Sequence, residues 1–253
     1  MLDVDRLPAP AVLEALPIFP LPNVVFLPGM VLPLNVFEPR YLELVDHVLE
    51  RGMHIGVPLL RPEESLLEEE DRALPLHDPG DERPAIEGIF GIGQIIGHQR
   101  LPDGRRFIRL EGLGRVRARE ELPMGEHHFR RLAVEALPET IPCDHHALAV
   151  LEAQIERMAE TFDDDEREMI RSVLALDDER IIVYAIASLI PNVELTSTIR
   201  HGMRGDPMSH LRLLQRCLAA DDPDERVALL STRAQRLIDV LCESDSFPVS
   251  SLN

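Results

Sequence analysis

Short apolar runs broken by prolines mark the N-terminal part of the chain. Residues 16–36, LPIFPLPNVVFLPGMVLPLNV, hold a Pro28-Gly29 pair between two such runs. Each run is too short and too rich in proline for a helix, because an interior proline removes a hydrogen bond and clashes with the preceding turn. The pattern therefore predicts two strands joined by a turn.

The pattern changes to the helical period at residues 39–51, PRYLELVDHVLER. Apolar residues now recur three and four positions apart, which predicts an amphipathic helix with one buried stripe. Gly52 is placed to end this helix as a C-cap, and residues 53–60 are apolar enough for another strand. The predicted stripe consists of Tyr41, Leu44, Val45, Val48 and Leu49.

Residues 87–137 predict a series of strands. Asp103-Gly104 lies between apolar-rich segments and is typical of a hairpin turn. The glycines of GIGQIIG lie inside a strand pattern instead of between a strand and a helix, so we predict curvature or close packing there and not dinucleotide binding. The strand spacing indicates a small barrel or a curved sheet. The glycines of GIGQIIG are Gly91, Gly93 and Gly97, whereas Gly112 and Gly114 farther along mark a bend or a bulge.

Helical patterns follow from about residue 142 to the C-terminus. Acidic residues crowd the starts of several predicted helices, as the helix dipole favours, and Asp222-Pro223 suits a helix start. A β-rich part followed by a helical part predicts an α+β chain with two domains, residues 1–141 and 142–253. We expect the second domain to be an α-helical bundle.

Composition narrows the classes of function. The chain has 253 residues, a net charge of −19, and arginine at all 26 basic positions. Without lysine it can form no Walker A loop, Schiff base or Ser–Lys dyad. The acidic charge repels nucleic acid and anionic membranes overall. Because no apolar run approaches the roughly 20 residues of a membrane span and no signal peptide is visible, we expect a cytoplasmic protein.

Cysteines and histidines are the candidate metal ligands. His127 and His128, as neighbours on a strand, are expected to point to opposite faces. Cys143 and His145 supply only two of the four ligands that a structural zinc ion usually has. We therefore expect no metal and no other cofactor. The three cysteines are widely spaced and indicate no disulfide framework: Cys143, Cys217 and Cys242.

Two segments carry opposite charge. Residues 61–84 hold nine acids against three arginines and predict a solvated loop, or alternatively a tether that screens a basic groove. Residues 100–119 hold seven arginines against Asp103 and Glu111. That hairpin is either a solvated face or an arginine-lined surface for a partner. The candidate partner-binding residues are Arg105, Arg109, Arg115 and Arg117.

Three segments together resemble the Lon substrate-binding (Lon N-terminal) domain family. They are residues 16–60 with the motif NVFEPRY, residues 88–122 with LPDGRR and RLEG, and residues 213–230 with LLQ before an acid-rich turn. The resemblance covers nearly the whole chain. The FEPRY form is similar to stand-alone members of the family and to the Lon-like domain of cereblon.

The resemblance implies a PUA-like β pseudo-barrel with one helix, followed by an α-helical bundle. It also implies substrate recognition without the ATPase and protease modules of Lon proteases, and hence no enzyme activity. The family-signature residues are expected to be structural: Phe37, Glu38, Pro39, Arg40, Tyr41, Asp103, Gly104, Glu111 and Gly112.

NVFEPRY also contains an acid, a cation and a phenol, so catalysis is an alternative. Pro39 suits a helix start, and Glu38 precedes it near the positive end of the helix. Tyr41 belongs to the buried stripe, and we expect Arg40 to be exposed or paired with Glu38 or Glu43. The transition from strand to helix thus accounts for each residue, and a hydrolase using Glu38 and Tyr41 is the less favoured alternative.

We therefore expect a module that binds proteins or unfolded peptide segments. The binding surface would be an apolar groove between barrel and bundle, or an exposed strand edge that accepts an extended peptide. Binding of RNA through the arginine-rich hairpin is the alternative. Such a surface needs exposed aromatic residues for base stacking, and aromatic residues form only 4% of this chain.

Overall fold

The computed structural model describes residues 13–51, 54–61, 83–201 and 207–244. The chain divides into two compact units, Met1–Glu139 and Thr140–Asn253, which are described separately below. The acidic segment predicted as a loop lies outside the described residues except for its ends, and so does Gly52. The predicted domains 1–141 and 142–253 stay a prediction.

The first unit is an antiparallel sheet with one helix. The sheet order is β1-β6-β5-β4-β3, and β2 pairs with β5 beside this path. Residues 18–21 bridge to the segment around β3, where the Phe19 N–H donates to the Gly56 carbonyl at 2.8 Å, so the sheet closes on itself. The elements are β1 Leu16–Pro17, β2 Val31–Val36, α1 Pro39–Arg51, β3 His54–Val57, β4 Ile89–Arg100, β5 Arg106–Glu121 and β6 Arg131–Leu137.

The long strand β5 organises the barrel. Its first half pairs with β2, its second half pairs with β6, and β4 runs beside both. The β4–β5 register skips Leu113, which confirms the bulge predicted around Gly112 and Gly114. A Cβ atom on Gly91 would lie 2.0 Å from the Phe26 carbonyl oxygen, so this glycine permits the close packing that the sequence predicts. A Cβ atom on Gly112 would likewise lie 2.2 Å from the Leu27 carbonyl oxygen.

Helix α1 has the bounds and the buried stripe that the sequence predicts, with Leu49 only partly buried. It packs against barrel residues that include Phe19, Phe26 and Leu110. Each such buried side chain contributes about 1.5–3 kcal/mol relative to exposure. The amphipathic pattern therefore suffices to place the helix against the barrel.

The second unit is helical, as predicted. Asp163 and Glu166 form a capping box, and the Asp144 carboxylate accepts a hydrogen bond from the Ala147 N–H. The helix that begins at Glu179 continues through Pro191. The helices are α2 His145–Ala159, α3 Asp164–Leu174, α4 Glu179–His201, α5 Pro207–Ala219 and α6 Pro223–Ser244. The predicted fold class, a β pseudo-barrel with one helix followed by a helical bundle, is confirmed.

Candidate functional site

Three neighbouring strands of the barrel present an exposed surface, which we call the outer β face. In the register of the sheet, Pro33 lies beside Arg109 and Arg109 lies beside Gly97. Alternate residues of β2 and the first half of β5 are exposed, while those between them are buried or, at Leu34, partly buried. The outer β face consists of Val31, Pro33, Asn35, Ile96, Gly97, Phe107 and Arg109.

Apolar side chains dominate this face. Val31 is 48% exposed, Ile96 40% and Phe107 38%. Phe37, which directly follows β2 and extends this face, is 65% exposed. Isolated exposed apolar residues are ordinary, but several on adjoining strands form a patch of the kind found at binding surfaces. The barrel therefore exposes apolar surface that a partner could cover.

Arg109 lies in the middle of these apolar residues. A Cβ atom at Gly97 would be 3.2 Å from both Nε and Nη2 of Arg109, so the guanidinium rests over the bare backbone of β4. Among the residues that the structure describes, no carboxylate pairs with this guanidinium. Its N–H donors are therefore available to an acceptor from outside.

Strand β2 borders the outer β face with a backbone edge. Within the described parts of the chain, β5 is the partner strand of β2. The Gly112 N–H donates to the Met30 carbonyl at 2.8 Å, so alternation along the ladder directs the backbone groups of Val31, Pro33 and Asn35 away from β5. Pro33 has no N–H, so the row of hydrogen-bond donors along this edge is interrupted. This interruption disfavours edge-to-edge pairing with strands of other molecules.

The other candidate arginines have different surroundings. Arg105 is exposed at the hairpin turn, and its Nε donates to Asp103 at 2.7 Å. Hydrogen bonds from the backbone N–H and side chain of Arg105 hold the pKa of Asp103 below its ordinary value. Arg117 is half-buried beside Glu135 in the register of the sheet. Of the four arginines, Arg109 alone contributes to the outer β face.

The placement of Arg115 corrects the prediction of a partner-binding residue. Its side chain is 1% exposed, and Nε donates to the Glu139 carboxylate at 2.9 Å. A second guanidinium nitrogen donates to the Pro138 carbonyl at 3.3 Å. Burial and pairing inside the barrel unit remove this arginine from any accessible surface.

NVFEPRY has the geometry of a strand-to-helix junction. The Arg40 Nε donates to Glu38 at 2.9 Å, which confirms one of the expected pairings. The Tyr41 ring is buried and stacks on Phe19 with ring centroids 4.1 Å apart. Burial raises the pKa of Tyr41, while the charge of Arg40 opposes this shift. Phe37 departs from the expected structural role, since its ring is largely exposed.

The remaining signature residues lie in the sheet and its hairpin. Gly104 has a φ of 89° in the turn between β4 and β5, which favours glycine. The Gly104 N–H donates to the Leu101 carbonyl at 3.0 Å and closes that turn. Glu111 is half-buried in β5, opposite Val31 and Gln94 in the register of the sheet.

The histidine prediction needs a correction. His127 and His128 lie in a turn before β6 and not on a strand, and both face Glu43 of α1. His128 Nδ1 is 2.6 Å from the Glu43 carboxylate and His127 Nδ1 is 3.5 Å from it. Desolvation alone would raise the pKa of Glu43, but hydrogen bonds from His128 and His127 bring it below its ordinary value.

The sequence did not indicate the apolar residues of the outer β face. Ile96 is exposed because the β4–β5 register shifts between Ile95 and Gly97. Because neighbouring residues of a strand point to opposite faces, Ile95 and Ile96 could not both be buried in the barrel. The sequence could have indicated an exposed isoleucine in this way. The exposure of Val31 and Phe107 depends on what covers each strand, which a local pattern does not contain.

The geometry defines a class of molecule: a β pseudo-barrel that exposes an apolar surface, followed by a helical unit. The family profile of the ATP-dependent protease La (LON) substrate-binding domain matches residues 15–196, which is more than half of the chain. The chain belongs to this family.

Relatives and solved structures agree with this assignment. The chain is 26% identical over 230 residues to a Lon protease of Desulfovibrio desulfuricans, and 24% identical over 231 residues to one of Cytophaga hutchinsonii. These alignments cover 90% of the chain but only 23% and 24% of the two relatives. The chain thus spans about a quarter of the length of these relatives.

Two solved structures share the fold. The N-terminal domain of a Mycobacterium avium complex Lon protease has a TM-score of 0.58 at 16% identity, covering 88% of this chain and 98% of that one. A Lon N-terminal domain protein from Xanthomonas campestris has a TM-score of 0.52 at 24% identity, covering 85% of this chain and 96% of that one.

Within the described ranges, none of the helices combines the length and the apolar character that a membrane span needs.

Proposed function

We propose that the protein recognises unfolded polypeptide segments and that the outer β face binds them. Membership of the Lon substrate-binding domain family supports a role in substrate recognition. The observation that carries the proposal is the group of exposed apolar side chains around Arg109. An unfolded segment offers the two features that such a surface matches, which are apolar side chains and free backbone carbonyls.

The two kinds of contact have separate consequences. Burial of apolar area contributes about 25 cal/mol per Å², so Ile96 and Phe107 supply affinity without selecting a sequence. Arg109 can donate hydrogen bonds to backbone carbonyls, which every segment contains. The edge of β2 offers additional backbone groups to an extended chain. Together these contacts favour extended, apolar segments over folded proteins.

The proposal is of recognition without catalysis. A hydrolase using Glu38 and Tyr41 is not supported, because Tyr41 is buried against Phe19 and Glu38 pairs with Arg40. The cytoplasmic location stays a prediction.

Binding of RNA is less well supported than binding of peptides. Several arginines of the hairpin are already paired with acids, which lowers the positive charge that a phosphate backbone would meet. Arg106 pairs with Asp46, Arg115 with Glu139 and Arg119 with Glu135. The outer β face thus retains more apolar than basic character.

Anisotropy of a labelled polypeptide that stays unfolded in buffer tests the proposal. The variant Phe37→Ser/Phe107→Ser removes two exposed rings, and we expect binding to weaken at least about tenfold. Arg109→Gln is expected to weaken it by a smaller factor. The matched control is Val150→Ser/Met169→Ser, which removes two side chains of 41% and 47% exposure from the helical unit. Equal losses in both double variants, or no binding by the unchanged protein, would overturn the proposal.

A further inference from the structure

Helices α5 and α6 line a groove of about 380 Å³ in the helical unit. On α5 the lining residues include Ser209, Arg212 and Arg216, which are three and four positions apart and share one face. On α6 they include Arg233 and Arg236, which also share a face. The groove therefore runs along matching faces of a helical hairpin.

The charge of this groove is opposite to that of the chain. Of the residues that the structure describes, four arginines and one acid, Glu225, line it, whereas the chain has a net charge of −19. Arg212 and Arg216 are exposed and lie four positions apart, where like charges repel. In the described part of the chain, no carboxylate pairs with Arg212, Arg216 or Arg236. An acidic ligand would relieve this repulsion.

Arg233 holds a fixed position at the end of the groove away from the turn between the helices. Its Nη2 donates to the Ser209 hydroxyl at 3.2 Å. This bond ties α6 to α5, and the buried Arg226 donates to the Ala220 carbonyl at 2.8 Å near the turn. The two bonds anchor both ends of the hairpin, so the groove is largely formed before a ligand arrives.

The floor between the arginines is apolar. Leu213 and Leu229 are half-buried and Ala228 is exposed. Among the described residues, no aromatic side chain lines the groove, so bases find none there on which to stack. The overall negative charge of the chain also opposes a nucleic acid. The combination of apolar floor and basic rim instead matches a peptide that carries both apolar and acidic side chains.

We propose that this groove binds an acidic peptide segment that places leucine-like side chains on the floor and carboxylates against Arg212, Arg216 and Arg236. The site is separate from the outer β face and does not rest on the function proposed for it. Recognition of an amphipathic segment in a groove between two helices is a common mode of peptide binding.

A labelled synthetic peptide that alternates pairs of glutamate and leucine is the probe, with a matched peptide that has glutamine at each glutamate. Anisotropy should show binding of the acidic peptide that weakens as salt is added, since exposed charges are screened. The variant Arg212→Gln/Arg216→Gln is expected to weaken binding about tenfold. Arg157→Gln/Arg171→Gln, with the same charge change elsewhere on the helical unit, should leave binding unchanged.

Two further measurements distinguish the outcomes. Circular dichroism establishes that both double variants keep their helices, and the variant Phe37→Ser/Phe107→Ser should bind the acidic peptide normally. Equal binding of the glutamine peptide, equal losses in the two arginine variants, or tighter arginine-dependent binding of a single-stranded oligonucleotide would each overturn the proposal.

Discussion

The two halves of β5 carry the same alternation of arginine and apolar residues but have different surroundings. In the first half, Arg109 and Phe107 are exposed while Ile108 and Leu110 are buried. Five consecutive residues, 112–116, are buried where the second half begins, and Arg115 among them is 1% exposed. The difference shows that an arginine in a strand pattern can belong to a binding surface or to the interior.

The cause lies in residues distant along the chain. In the first half, β2 and β4 pair with the edges of β5 but leave its outer face open. In the second half, residues 138–139 reach Arg115 and supply a carboxylate and a carbonyl. A charge is buried only where such partners compensate for its desolvation. The partners, and not the local pattern, decide the role of each arginine.

The largest expected effect comes from breaking the buried pair. Arg115→Met removes the buried guanidinium that the Glu139 carboxylate faces, and that carboxylate is itself only 7% exposed. We expect the free energy of unfolding to fall by about 3–5 kcal/mol. Arg109→Met should change it by less than about 0.5 kcal/mol, because that guanidinium is exposed and has no acidic partner among the described residues. Urea unfolding of the full chain measures both.

The double variant Arg115→Met/Glu139→Leu provides the control. Replacing both members of a buried pair by apolar residues is often close to neutral, so most of the lost stability should return. If Arg115→Met lowered the free energy of unfolding no more than Arg109→Met, the contrast between the two halves of β5 would be contradicted.

Two glycines of the sheet give the second contrast: Gly112 of β5, and Gly97 of β4 beside Arg109. A Cβ on Gly112 would meet a backbone oxygen at 2.2 Å, so Gly112→Ala should cost about 1–3 kcal/mol in unfolding free energy. A Cβ on Gly97 would meet the end of the flexible Arg109 side chain at 3.2 Å. Gly97→Ala should therefore leave stability nearly unchanged and weaken the binding of unfolded polypeptide. Reduced stability in both variants would show that Gly97 also serves packing.

Much of the fold could be predicted from the sequence because its signals are local. The stripe of α1, the Asp103-Gly104 turn and the bulge near Gly112 each depend on a few neighbouring residues. The exact bounds of α1 followed from the change of period and from Pro39. Glycines without room for a Cβ were correctly predicted to permit close packing.

The candidate site was less predictable because burial depends on contacts between distant residues. Four arginines looked equivalent in the alternating pattern, yet Arg115 is enclosed by residues 138–139. Phe37 belongs to a family signature but is exposed. His127 and His128 share Glu43 because they lie in a turn, which the pattern of a continuous strand concealed.

A smaller effect is expected from the ion pair in the exposed half of β5. Arg106 pairs with Asp46 of α1, where the two side chains are 15% and 51% exposed. Asp46→Asn should lower the free energy of unfolding by about 1 kcal/mol or less, and high salt should remove most of the difference. If Asp46→Asn lowered the free energy of unfolding as much as Arg115→Met, the difference in exposure would not explain the stabilities of the two ion pairs.

The smallest expected effect is a change in pH dependence beside the exposed half. His47 follows Asp46 on α1 and packs against His127 and Phe129. Burial lowers the pKa of His47 below its ordinary value of 6.5, and the charges of Arg51, His127 and Arg131 lower it further, against a smaller opposite effect of Glu50.

The sign of the pH effect follows from proton uptake. As the pH falls below 6.5, His47 takes up a proton in the unfolded chain before it does so in the folded one. The folded state therefore loses stability in this range. His47→Phe keeps an aromatic ring beside Phe129 but cannot take up a proton, so its stability should decline less between pH 6.5 and about 5. The pKa of Glu43 lies below its ordinary value of 4.5, so its own loss of stability falls at lower pH. Identical pH profiles of the two proteins, measured by urea unfolding, would show that His47 does not titrate differently on folding.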